Sequence, residues 1–125
     1  MNQFTVTMPY NSQVSVNAAY RRGSPRYGKK KVVTEWLADF RLLIQNQLAL
    51  LDCREVPKTV RMDIEVFCPP GRGRKPDCSN FRKLTQDVAA STLGVDDVVF
   101  SGFDEAAVRA NSRQEARIVI RFTLS

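Results

Sequence analysis

The chain has no histidine. That absence removes the commonest general base near neutral pH, and with it the Ser–His and Cys–His pairs of nucleophilic catalysis. It also disfavours zinc, since no Cys-x-x-Cys pair stands in for the missing imidazoles. The cysteines, Cys53, Cys68 and Cys78, are odd in number and irregularly spaced. Without an export signal they read as reduced thiols rather than as a disulfide framework. Nothing approaches the roughly 18 apolar residues of a membrane span. The polar start MNQFTVTMPY lacks the features of a signal peptide. The expectation is a cytoplasmic protein without membrane association, in which any catalysis must draw on carboxylates, lysine or a metal ion.

Acidic residues are absent before Glu35, whereas Arg21, Arg22, Arg26, Lys29, Lys30 and Lys31 all fall in that segment. From Glu35 onward the charges balance, so this end carries the whole net charge of +6. One reading is a solvated, solubilising arm. The other is a polyanion-binding arm. Tyr20 and Tyr27 among the cations favour it, because tyrosine adds stacking and a hydrogen bond to phosphate. Residues 10–31 show no clean period and are broken by Gly23, Ser24, Pro25 and Gly28, which predicts a long basic loop that is either functional or disordered.

The 125 residues suffice for one ordinary domain, residues 1–125, around one core. Alternation over residues 3–8 places Phe4, Val6 and Met8 on one side of a short strand closed by Pro9. Val33, Trp36, Leu37, Phe40, Leu43, Ile44, Leu48 and Leu51 recur at three and four, which predicts a helix over 32–51 with a wide apolar stripe. Trp36 and Phe40 on that stripe read as core. After Pro57, Val60, Met62, Ile64, Val66 and Cys68 alternate with mostly polar neighbours as a strand, ended by Pro69, Pro70 and Gly71. A second helix is expected over 79–93, capped by Asp77 or Ser79 and stopped by Gly94. A strand is expected from Val95 to Phe100, then a polar loop over 104–113, then a last strand carrying Ala116, Ile118, Ile120, Phe122 and Leu124. The class is α/β, a mixed sheet of about four strands backed by two helices.

The chemistry concentrates between Gly71 and Asp97. Arg72, Arg74, Lys75 and Lys83 interleave there with Asp77, Asp87, Asp96 and Asp97. Metal-assisted work on phosphodiesters needs that mixture, because phosphate must be attracted while a divalent cation is held close by. Mg²⁺ takes oxygen ligands, usually one or two carboxylates plus water and substrate phosphate. Asp77 at a helix start and Asp97 at a strand start can supply them, with Asp96 beside. Lys83, one turn into the helix, can offset charge developing on phosphate. The Asn80, Lys83 and Asp87 stripe is equally readable as a surface Lys83–Asp87 pair or as the wall of a site.

The run KPDCSNFRK, then Asp87, then Asp96 and Asp97, resembles the RusA family of Holliday-junction resolvases. That family carries an Asp-x-Asp-Asn-x-x-Lys run, an aspartate four residues on, and an Asp-Asp pair after the helix. The looser likeness of the opening strand, Pro9, Asn17 and Tyr20 extends it along the chain. The resemblance implies a small homodimeric, Mg²⁺-dependent endodeoxyribonuclease, with Mn²⁺ able to substitute, that recognises four-way DNA junctions and nicks two strands symmetrically. Asp77 and Asp97 would be metal ligands, assisted by Asp96, and Lys83 the phosphate-side cation. Asn80 and Asp87 would have supporting roles. Arg72, Arg74, Lys75 and Arg82, with Arg21, Arg22, Arg26, Lys29, Lys30 and Lys31, would hold the DNA. One departure stands out: the family's second aspartate is Ser79 here, a hydroxyl that brings no charge. It implies a weaker metal site and leaves a second expectation open, a junction-binding protein that cuts weakly or not at all.

Overall fold

The computed structural model describes residues 2–23, 25–52 and 55–125, so Ser24 and the thiol read at Cys53 lie outside the described residues. The elements run β1 (Asn2–Pro9), α1 (Lys31–Leu50), β2 (Val60–Cys68), α2 (Arg82–Leu93), β3 (Phe100–Ser101), β4 (Val108–Arg109) and β5 (Arg117–Leu124). Alternating side chains in β1, β2 and β5 give each strand one apolar face, and a sheet buries those faces together. β5 lies between β1 and β2, antiparallel to both, so that Phe4 and Met62 flank Phe122 while Val6 and Ile64 flank Ile120. The far edge of β2 takes β3 and β4 in parallel, Val60 opposite Phe100 and Phe67 opposite Val108, with a bridge from Ile64 to Asp104 between them.

The two helices pack on each other and on the apolar face of the sheet. Val33, Trp36, Leu37, Phe40 and Ile44 of α1 are buried, whereas Leu43, at the border of the stripe, is exposed. Phe122 stacks on Phe4 at 4.8 Å between centroids and on Phe40 at 6.4 Å. Trp36 is core as expected, and its indole N–H donates to the Pro9 carbonyl at 2.9 Å, which fixes the end of β1 to α1. Among the described residues no helix is long and apolar enough to cross a membrane.

Three expectations need correction. A 3₁₀ turn, Cys78–Phe81, precedes α2, which starts at Arg82 rather than Ser79. The strand expected from Val95 is instead a 3₁₀ turn over Asp97–Val99, and extended pairing begins only at Phe100. The segment read as a polar loop over 104–113 contains β4. The last two changes share one cause: the edge of β2 is supplied by a chain that pairs, leaves and returns, and so shows no alternation of its own.

The basic loop is built rather than structureless. Val14 and Ala19 are fully buried and Ser15 nearly so. The Val16 N–H donates to the Asn80 carbonyl at 3.0 Å, and the Lys30 N–H to that of Ala19 at 2.8 Å. Tyr20 pairs with Lys29 across an antiparallel bridge that closes a small hairpin.

Candidate functional site

Two capped turns position the carboxylates. Asp77 precedes the Cys78–Phe81 turn, and its Oδ1 accepts from the Ser79 N–H at 3.1 Å and the Ser79 hydroxyl at 2.9 Å. The hydroxyl bond, then the backbone bond, holds this fully exposed carboxyl below the usual aspartate range. Among the described residues no donor reaches its other oxygen. Asp96 does the same for the next turn, accepting from the Val98 N–H at 3.2 Å, which leaves the adjacent Asp97 exposed on the first residue of that turn.

On α2, Lys83 and Asp87 form an i,i+4 ion pair with Nζ to Oδ1 at 3.2 Å. The Asp87 hydrogen bond, then its charge, raises the Lys83 pKa, and Asp97 and Tyr20 add to it from other elements. Lys83 is therefore a persistent cation and not a proton acceptor at neutral pH.

A cleft of about 300 Å³ is lined by Ser79, Arg82, Lys83, Gln86, Asp87, Asp97 and Asp104. It brings together five of the expected residues, Ser79, Arg82, Lys83, Asp87 and Asp97. Asp77, Asn80 and Asp96 do not line it. Asp77 adjoins it through Ser79, and Asn80 joins the basic loop to the turn through its carbonyl.

Asp104 and Gln86 were not legible as site residues. Asp104 sits in no motif, and only the parallel register of the edge segment against Ile64 carries it to the mouth of the cleft. Its Oδ1 accepts from Arg82 Nε at 2.7 Å. Arg82, expected on the DNA, is instead engaged internally. Its guanidinium donates to the Met62 carbonyl, to the Phe103 carbonyl at 3.2 Å and to Gln86 Oε1 at 3.4 Å. That network fastens the first turn of α2 to the edge of the sheet.

The donors facing the cleft are three carboxylates, a hydroxyl and an amide, an oxygen-rich set without imidazole or thiolate. Such a set suits Mg²⁺ or Mn²⁺ and not zinc. Among the described residues no three acidic or cysteine side chains come together as a group that could hold a metal ion. Mg²⁺ does not require one, since it commonly keeps water and takes one or two carboxylates. Asp97 is the carboxylate free of a cation here, because Asp87 and Asp104 are paired with Lys83 and Arg82. Below the cleft, burial pushes the Cys78 thiol up to about 12, and its Sγ lies 3.4 Å from the Ile64 carbonyl, so it is a structural group. Cys68 is likewise buried and free.

Two segments joined to this region carry exposed cations. Arg72, Arg74 and Lys75 are exposed on the loop before Asp77, and Arg109 anchors that loop through the carbonyls of Pro69 at 3.0 Å and Gly73 at 2.9 Å. The hairpin, whose loop bonds to the Asn80 carbonyl through the Val16 N–H, carries Arg21, Arg22, Arg26 and Lys29. Lys30 turns inward to Gln13 Oε1, and Lys31 pairs with Glu35 at 3.8 Å.

No protein-family model matches the chain, and no curated protein matches it. Solved structures similar to it include two of the periplasmic domain of Helicobacter pylori MotB. One, of residues 97–256, is 13% identical over 97% of this chain and 80% of that one, with a TM-score of 0.41. The other, of residues 78–256, is 12% identical over 97% and 76%, with a TM-score of 0.42. Likeness at that level carries no argument about function, and the reading of the site rests on its own residues.

Proposed function

We propose that this chain is a divalent-metal-dependent endodeoxyribonuclease of the Holliday-junction-resolving type, working in the cytoplasm as a homodimer on four-way DNA. The observation that carries the reading is the shared cleft: Ser79, Lys83, Asp87 and Asp97, from the motif and from the acid pair beyond α2, face one space. Asp97 would hold the metal, with Asp87 and Asp104 within the same cleft and Asp77 at its margin. Bound there, Mg²⁺ supplies Lewis-acid polarisation of the phosphodiester and lowers the pKa of water.

The chain's own groups do the rest. Lys83 presents a fixed positive charge where negative charge grows on phosphate, and Asp87 orients it. Arg82 holds α2 against the edge segment, so that Lys83 and Asp104 keep their relative places. The exposed cations of the 72–75 loop and the hairpin attract and orient the DNA backbone.

A second reading is favoured by one observation. The Ser79 hydroxyl is engaged with Asp77 Oδ1, so the position where the resembled family has a carboxylate brings no charge and ties up half of a neighbouring one. That suits a junction-binding protein with weak or no cutting. A four-way junction with each strand labelled in turn decides between them. Paired symmetric nicks that need Mg²⁺ and vanish in Asp97→Asn support the nuclease. Tight binding without product supports the binder, and neither binding nor product removes both.

A further inference from the structure

The hairpin closed by Tyr20 and Lys29 concentrates charge in a way a solvated arm would not. Arg21, Arg22, Arg26 and Tyr27 line a cleft of about 480 Å³ of their own. The Arg22 guanidinium carbon lies 5.0 Å and that of Arg26 6.0 Å from the centroid of the same Tyr27 ring. Arg21 is tied to the backbone, its Nε donating to the Tyr27 carbonyl at 2.7 Å and its N–H to that of Gly28 at 2.9 Å. Two left-handed residues make the turn possible, Gly28 at φ 79° and Arg22 at φ 54°. Among the described residues no carboxylate lies within ion-pair reach of Arg21 or Arg22, and the sequence offers none before Glu35. Arg21 and Arg22, held by backbone and ring with no carboxylate in ion-pair reach, and Arg26 over the same ring, gather positive charge into a preformed anion site.

We infer that this hairpin is a phosphate clamp for a nucleic-acid strand: Arg22 and Arg26 take one backbone phosphodiester, and Tyr27 is the platform that keeps their guanidiniums in place. The inference rests on the nucleic-acid part of the proposed function and adds a second, metal-independent contact beside the cleft. The 3.0 Å bond from Val16 to Asn80 joins the loop bearing the clamp to the turn bearing Asp77, so a strand gripped at one is presented to the other.

The test is anisotropy of a fluorescein-labelled DNA duplex and of a labelled four-way junction with the full chain in EDTA, titrated between about 50 and 200 mM salt. Replacing Arg22 and Arg26 together by alanine is expected to weaken binding roughly tenfold or more and to reduce the salt slope by about one. Replacing both by lysine should keep the slope. Tyr27→Phe, which keeps the ring, should bind as wild type does, whereas Tyr27→Leu should lose roughly tenfold. Should the double alanine variant melt early, the lysine pair and the Tyr27 pair carry the test alone. Wild-type affinity and slope in the alanine and Tyr27→Leu variants overturn the clamp and leave the nuclease reading standing. The expected losses in a protein that never nicks DNA in Mg²⁺ keep the clamp and remove the nuclease. Absence of DNA binding by the wild type removes both.

Discussion

Asp87 decides what Lys83 can do. By raising the lysine above its ordinary 10.5 it keeps the ammonium charged well beyond neutral pH. The pair's contribution to stability is complete below the unfolded lysine value and is lost as pH rises through the raised one. The alkaline limb that Lys83 sets in a wild-type pH–rate profile should therefore lie above 10.5, and in Asp87→Asn it should move down. An unmoved limb would exclude Lys83 from the chemistry. Ser79→Asp tests the neighbouring departure. A unit charge about 4 Å from a cation is worth roughly 4 kcal/mol at an effective dielectric of 20, and a third of that is about tenfold in affinity. The Mg²⁺ needed for half-maximal cutting should drop by about that factor, and an unchanged requirement means the side chain at 79 points away from the ion. Gly102 is constrained by space rather than charge. At φ 139° an added Cβ would lie 1.9 Å from the Met62 carbonyl oxygen. Gly102→Ala should cost about 3 kcal/mol in urea unfolding and loosen the edge that holds Asp104.

Among the elements, those with their own period were legible. The stripe of α1 and the alternation of β2 and β5 follow from burying one face, and the structure buries those residues apart from Leu43, which is exposed, and Leu48 and Leu51, which are partly buried. Phe40 is the test of that packing. It is fully buried between Trp36 and Phe122, and Phe40→Ala should destabilise by about 3–5 kcal/mol in a denaturant melt. The edge segment was not legible, because Phe100–Ser101 and Val108–Arg109 pair for two residues each and depend on β2 for their register. Asp104 therefore had no local signal, and Arg82 looked like a surface cation until its acceptors on β2 and the edge were in place. The hairpin was hidden for a different reason. Its order comes from backbone bonds across Gly28 and from two small buried side chains, Val14 and Ala19, which composition does not distinguish from a flexible arm.

At the scale of the whole molecule, the excess of +6 lies in the segment before Glu35, part of which lines a cleft of its own, and is not spread along the chain. Binding to DNA should accordingly weaken by roughly 10³ between about 50 and 200 mM salt if about six phosphates are contacted, and a flat response by anisotropy would separate the cations from the ligand. The sheet has a consequence of its own. Its middle strand, β5, is the most C-terminal of the described strands, yet β1 and β2 meet only through it. During synthesis the first strand must wait, apolar face uncovered, until β5 has emerged. Folding should thus be slow, as contacts distant in sequence make it. A ribosome stalled ahead of Arg117 would hold a chain with both helical segments made, β2 and its edge segments at hand, and nothing to join the first strand to them.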